Sequence, residues 1–305
     1  MRIGIDLGGT KIEIVALDAA GAIRERRRVP TPVGQYDAIV AEIARLVRAC
    51  EARLGELASV GIGIPGAESP RTGLVMNANS TVLIGRPFRQ DLERALARPV
   101  RLENDANCFA LSEASDGAAA GARCVFGAIL GTGVGGGIVI EGRVRRGRNA
   151  IAGEWGHNPL PWPSDDERPG PACYCGKFGC IETFVSGTGL RADYLRASGI
   201  AAGGDAIARA AADGDELARA TLARFVDRLA RSLAGVIDVL DPDVVVLGGG
   251  ASNIDGIAEA IEVRLGAHVF SDAIETRIVR ALHGDSSGVR GAAWLWPAGD
   301  GRPGI

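Results

Sequence analysis

The sequence predicts an α/β protein of two related domains. Two observations carry that expectation. A unit of apolar strand, glycine turn, apolar strand and acidic glycine turn opens the chain over residues 3–21. It returns over residues 125–142, about 120 residues later, a spacing that fits repeated domains rather than a short-period solenoid. The length of 305 residues suits two domains of roughly 100–200 each. With 47% hydrophobic and 23% charged residues, the composition is globular and excludes a collagen, a coiled-coil rod and a disordered chain.

The elements follow in order. Met1–Leu7 reads as a strand, Gly8-Gly9-Thr10 as a turn, Ile12–Leu17 as a second strand and Ala22–Val29 as a third, which makes a meander. Asp37–Leu54 has helical periodicity, with Ile39, Ile43, Leu46, Val47, Cys50 and Leu54 on one face. Val60–Ile64 is a continuously apolar, buried strand closed by Pro65-Gly66. A helix over Phe88–Ala97 and a strand over Val100–Leu102 lead into Asn104-Asp105 and a helix over Ala106–Ala120. Strands over Val125–Leu130 and Gly136–Glu141 repeat the opening. Residues 158–172 form a loop, Asp205–Asp241 is mostly helical, Asp243–Leu247 is a buried strand, and Gly288–Trp296 is a last helix.

Several functions are excluded early. A net charge of -3 gives no footprint for nucleic acid. No apolar run approaches the ~18 residues that span a bilayer. Asp6 and Lys11 interrupt the only early apolar stretch, so no signal peptide is visible and a cytoplasmic protein is expected. The only lysines, Lys11 and Lys177, do not stand in a Gly-Lys-Ser/Thr loop, which excludes a standard P-loop. Gly61, Gly63 and Gly66, and Gly131, Gly133 and Gly136, both spell G-x-G-x-x-G. A loop follows the first and a strand the second, so neither opens a dinucleotide-binding helix.

Three glycine turns follow apolar strands: Gly8-Gly9-Thr10, Gly131-Thr132-Gly133 and Gly248-Gly249-Gly250. Such turns present backbone N–H groups without side chains in the way, as phosphates require. Asp6, at the end of a buried strand, either stabilises its turn or holds Mg²⁺ beside those phosphates. Asp105 is either a helix cap or a general base that takes a proton from a substrate hydroxyl.

Cys50, Cys108 and Cys124 are isolated among apolar residues and read as reduced, buried thiols. His157, Cys173, Cys175 and Cys180 have the composition of a closed, structural zinc site. Glu154 and His157 stand three residues apart, and Glu182 follows Cys180 by two. A histidine clamped through one ring nitrogen offers the other as a fixed donor. Together with two glutamates it suits the vicinal hydroxyls of a sugar.

Asp6-Leu-Gly-Gly-Thr-Lys11, Leu130-Gly-Thr-Gly-Val-Gly-Gly136, Glu154-Trp-Gly-His157 and the run from Cys173 to Glu182 together resemble the ROK family of bacterial sugar kinases and repressors. The resemblance runs from Met1 to about Trp296. Lys11-Ile-Glu13, Asn77–Thr81, Glu154–Trp162 and His283–Trp294 resemble its fructokinase (manno-fructokinase) branch. It implies an actin-like (ribonuclease H-like) two-domain ATPase fold with a duplicated core, a structural zinc knuckle and an active site in the cleft. It places residues 1–107 in the first domain, joined by a C-terminal helix over 288–305, and residues 108–287 in the second.

By the same resemblance Asp105 is the catalytic base. Asn104, Asp105, Glu154, His157 and Glu182 bind the sugar, with Gly66 and Asn79 beside them. Gly8, Gly9 and Thr10, the stretch Gly131, Thr132, Gly133, Val134, Gly135 and Gly136, and Gly248, Gly249 and Gly250 line the nucleotide. Asp6 acts through Mg²⁺, and Lys11 either contacts phosphate or stands just outside it. The implied activity is ATP-dependent phosphorylation of a free hexose, D-fructose first, by a homodimer without membrane or nucleic-acid partners. The alternatives are another hexose (mannose, glucose, N-acetylglucosamine or N-acetylmannosamine) or a non-catalytic sugar-sensing regulator. No helix-turn-helix fits before a phosphate turn that begins at residue 8, and no peptide-binding domain of a chaperone-type ATPase is present.

Overall fold

A computed structural model describes residues 1–78 and 80–297. The chain divides into two compact units. Residues 1–120, 137–152 and those from 285 onward form one; residues 121–136 and 153–284 form the other.

The first unit begins with an antiparallel meander, β1 (Arg2–Leu7), β2 (Lys11–Leu17) and β3 (Ile23–Pro30). After helix α1 (Tyr36–Leu54), strand β4 (Ser59–Ile64) pairs parallel to β1. A hairpin of β5 (Ala67–Glu68) and β6 (Val75–Met76) and helix α2 (Phe88–Leu96) follow. Strand β7 (Val100–Asn104) then pairs parallel to β4 and runs directly into α3 (Asp105–Asp116). The sheet order is β3-β2-β1-β4-β7.

The same connectivity returns. Strands β8 (Cys124–Leu130), β9 (Val134–Ile140) and β10 (Arg143–Val144) come first. Helices α4 (Ile181–Val185), α5 (Gly187–Ser198), α6 (Gly204–Ala212) and α7 (Glu216–Leu240) follow. Strand β11 (Val244–Gly248) pairs parallel to β8, and after α8 (Ile257–Leu265), β12 (Arg277–Arg280) pairs parallel to β11. The order β10-β9-β8-β11-β12 matches the first sheet position by position. The chain then enters α9 (Ser287–Trp294).

Helix α1 forms because Ile39, Ile43, Leu46, Val47 and Cys50 bury one stripe against the sheet, and it stops at Gly55 in the left-handed conformation. On the opposite face of the first sheet, Val289 and Ala293 of α9 pack on Val15 and Leu17. Helix α9 also lies tightly on α3: a Cβ at Gly291 would stand 1.7 Å from the Cys108 carbonyl oxygen, so only glycine fits. This packing keeps residues 108–120 in the first unit, beyond the boundary expected at residue 107. Residues 137–152 also belong there, because the Arg146 guanidinium reaches the Glu103 carboxylate and the Leu102 carbonyl. Of the expected C-terminal helix over 288–305, residues 298–305 lie outside the described residues.

The acidic loop expected over residues 158–172 is tied to the second unit by buried ion pairs. The Glu167 carboxylate accepts from Arg228 Nε at 2.7 Å and from Arg231 Nη2 at 2.9 Å, and Arg231 Nη1 also donates to the Pro161 and Trp162 carbonyls. Burial alone would raise the Glu167 carboxyl, but the hydrogen bonds from Arg231 and Arg228 outweigh it and hold the group at about 2. Among the described residues no helix is long and apolar enough to cross a membrane.

Candidate functional site

In the first unit the site residues gather where β7 becomes α3. Asn104, not Asp105, is the cap: its Oδ1 accepts the N–H groups of Ala106 at 2.9 Å and Asn107 at 3.3 Å. Its Nδ2 donates to the Gly66 carbonyl at 3.1 Å. Gly66 has φ 118°, and a Cβ there would stand 2.7 Å from the Met76 carbonyl oxygen, so the turn that holds Asn104 requires glycine. Asp105 is exposed at the first turn of α3, and its Oδ1 accepts from the Ala106 N–H at 2.8 Å. Asn79 lies outside the described residues.

Asp6, the penultimate residue of β1, stands opposite Glu13 of β2. Burial, and then the nearby Asp105 carboxylate, push Asp6 up to about 6. Two carboxylates whose charges repel form a hard-oxygen set that suits a divalent cation such as Mg²⁺. The adjoining turn closes through the Gly8 N–H, which donates to the Lys11 carbonyl at 2.9 Å, and the Lys11 side chain is exposed.

In the second unit the other two glycine turns abut. Gly249 has φ 80°, and a Cβ on it would stand 2.5 Å from Leu130 carbonyl carbon and 2.8 Å from the Gly131 nitrogen. Gly248 ends β11, and Gly250 begins a short 3-10 turn to Asn253. The Gly131–Gly133 turn is braced by α5: the Gly187 N–H donates to the Gly131 carbonyl and the Thr188 hydroxyl to the Thr132 carbonyl, each at 2.8 Å. Beyond it, the residues expected to line the nucleotide turn to other partners. The Val134 N–H donates to Glu182 Oε2 at 2.8 Å, and Trp155 Nε1 donates to the Gly135 carbonyl at 2.9 Å. Gly136 faces the Trp155 indole, which would meet a Cβ there at 2.8 Å.

Glu154 precedes a 3-10 turn over Trp155–His157. That segment is held against the start of α4 by the Ile181 N–H, which donates to the Asn158 carbonyl at 2.9 Å. His157, Cys173, Cys175 and Cys180 bring their ligand atoms within 4.8 Å of one another. Cys173 Sγ lies 3.6 Å from His157 Nδ1, and Cys175 Sγ lies 3.6 Å from Cys180 Sγ. Tetrahedral zinc, with S at about 2.3 Å and N at about 2.05 Å, separates its ligands by about 3.6–3.8 Å. The four residues therefore fit a closed zinc site. The remaining nitrogen, His157 Nε2, lies 2.9 Å from the Tyr174 hydroxyl.

A cavity of about 570 Å³ opens beside the two abutting turns. Its lining includes Gly131, Thr132 and Gly250 of the turns together with Arg191, Asp205 and Arg209. These last three were missed from sequence, because α5 and α6 stand far along the chain from any glycine motif.

Residues 2–298 match the ROK family. The chain belongs to the ROK family. An N-acetyl-D-glucosamine kinase of Pectobacterium atrosepticum is 44% identical over 299 residues, covering 97% of this chain and 98% of that protein. The N-acetyl-D-glucosamine kinase of Vibrio cholerae is also 44% identical, over 97% of this chain and 99% of its own. Among solved structures, the ROK hexokinase of Thermus thermophilus superposes with a TM-score of 0.86 at 33% identity, covering 96% of this chain and 97% of that one. A ROK glucokinase of Streptomyces griseus, in complex with glucose and AMPPNP, gives 0.74 at 30%, covering 96% and 98%. The α/β fold is thus that of ROK sugar kinases, an actin-like ATPase class.

Proposed function

We propose that this ROK protein transfers the γ-phosphoryl group of ATP to the primary hydroxyl of a free hexose. The observation that carries the reading is the bond from the Val134 N–H to Glu182. It joins a phosphate-type turn to a carboxylate of the sugar-type cluster within one unit.

Asp105 accepts the hydroxyl proton as the sugar oxygen bonds to the γ-phosphorus and the bond to the bridging oxygen of ADP breaks. Asn104, held by Gly66, orients the substrate beside it, together with Asn79. Glu154, His157 and Glu182 take sugar hydroxyls. Gly8, Gly9 and Thr10, Gly131, Thr132 and Gly133, and Gly248, Gly249 and Gly250 receive the phosphates, while Asp6 would hold Mg²⁺, which would supply charge neutralisation at the phosphates. His157, Cys173, Cys175 and Cys180 would hold zinc as a structural clamp. Lys11 is assigned to the outer edge of the phosphate site.

N-acetylglucosamine is the first candidate sugar, because relatives at 42–44% identity over 97% of the chain carry that name. The expectation of fructose thus becomes the second reading. The stretches Glu154–Trp162 and His283–Trp294, which resemble the fructokinase branch, favour it. Comparing kcat/KM for N-acetylglucosamine, fructose, mannose, glucose and N-acetylmannosamine decides between them. A tenfold preference for N-acetylglucosamine supports the first reading, and the same preference for fructose replaces it with the second.

A further inference from the structure

His157 is claimed from both sides. Its Nδ1 faces Cys173 Sγ at 3.6 Å, and its Nε2 is 2.9 Å from the Tyr174 hydroxyl. The two rings meet edge to face, with centroids 5.1 Å apart and planes at 87°. Tyr174 stands between two cysteines of the cluster, and its backbone is fixed there: the Cys173 N–H donates to the Lys177 carbonyl at 2.8 Å and the Gly176 N–H to the Cys173 carbonyl at 3.0 Å. Its side chain has no such support. It is 81% exposed, and the His157 contact is the hydrogen bond that anchors it.

Resting on the assignment of His157 to the sugar, we propose that Tyr174 is a stand-in for a sugar hydroxyl. Its phenol occupies Nε2 in the free protein and leaves when the sugar binds, so Tyr174 sets sugar affinity by competition. With Nδ1 turned to the cysteines, Nε2 is the one ring nitrogen that can meet a substrate hydroxyl, and it holds a single proton. Two hydroxyls cannot both accept it well. An exposed ring leaves without breaking other packing, so the hydrogen bond and the edge-to-face contact with the His157 ring are what resist displacement. The apparent dissociation constant then equals the intrinsic one divided by the fraction of molecules in which Nε2 is free. One net hydrogen bond makes that fraction small enough to weaken sugar binding about two- to tenfold.

The test is calorimetric titration of the zinc-replete wild type, Tyr174→Phe and Tyr174→Ala with N-acetylglucosamine and with fructose, in the absence of nucleotide. Metal content is measured on each sample. The expected result is a dissociation constant about two- to tenfold lower in both variants than in wild type, for the sugar that wild type binds. Structural damage weakens binding, so a gain in affinity separates the proposal from a merely structural role. An unchanged or higher dissociation constant in Tyr174→Phe overturns it, since the phenol then either ignores the sugar or contacts it. If wild type binds neither of these sugars nor mannose, glucose or N-acetylmannosamine titrated in the same way, the sugar assignment fails and the proposal fails with it. Binding by wild type without a gain in the variants removes the Tyr174 proposal alone.

Discussion

Asn104 is held at both ends of its amide: Oδ1 caps α3 through the Ala106 and Asn107 N–H groups, and Nδ2 reaches the Gly66 carbonyl at 3.1 Å. The residue before the proposed base is therefore a fixed strut between β7, α3 and the turn after β4. Because Asn104 does the capping, Asp105 is not needed to start the helix, and its role can be tested without losing α3.

Asp105→Asn should retain fold and sugar binding while kcat falls about 10²–10⁴-fold, the usual loss when a general base is removed. Circular dichroism and calorimetry verify the first two, and an ADP-coupled assay the third. A kcat within fivefold of wild type would refute the assignment.

Asp6 couples stability and activity to pH in opposite senses. Its native value of about 6 exceeds the ordinary 3.8, so the folded protein binds this proton more tightly than the unfolded chain. Its favourable share is full below about pH 4 and is lost as pH rises through about 6. Asp6→Asn should therefore raise the Tm of the ligand-free protein at pH 7, by an amount equivalent to roughly 1–3 kcal/mol. The same variant should lose Mg²⁺-dependent ATP binding, and wild-type turnover should decline as pH falls below 6. A lowered Tm with intact ATP affinity would contradict both halves.

Glu167 gives the reverse sign. Its native value of about 2 lies below the ordinary 4.5, so its contribution is present above pH 4.5 and lost as pH falls through about 2. Glu167→Ala removes one of the two carboxylate partners of each arginine, leaving Arg228 with Asp193 and Arg231 with Asp227, while both arginine side chains stay under 10% exposed. A loss of about 3 kcal/mol at pH 7 is expected from chemical denaturation. A change below 0.5 kcal/mol would show that the pairs do not hold the loop.

Purified, unchelated protein should carry one zinc per chain. Cys175→Ser should lower metal content and weaken sugar binding, because His157 and the start of α4 lose their clamp. Metal analysis of both proteins, paired with sugar titration, measures this. A metal-free wild type with full sugar affinity would remove the clamp from the account.

Much of the fold was legible because its signals are local. Strands β1 and β2 and their return at β8 and β9 announce themselves as apolar runs broken by glycine, and α1 by one apolar stripe. The His–Cys cluster was legible because three of its four members crowd into residues 173–180. Helices α4, α5 and α8 and strands β10 and β12 were not read, since short segments without strong periodicity are decided by tertiary packing. Gly66 was named as a sugar contact, and its carbonyl also supports Asn104, a tie that spacing alone does not reveal. Val134 and Gly135 were named as nucleotide contacts. The Val134 N–H meets Glu182 and the Gly135 carbonyl meets Trp155, partners 48 and 20 residues away that spacing alone does not reveal.

The most direct test of the central claim is sugar-dependent ADP release with phosphorus NMR of the product, run on wild type with the five hexoses singly. The account predicts that at least one hexose raises ADP release at least about 10²-fold over ATP alone, with the phosphate on its primary hydroxyl and the increase absent in Asp105→Asn. ADP release that no hexose accelerates, or an acceleration that survives Asp105→Asn, would contradict it.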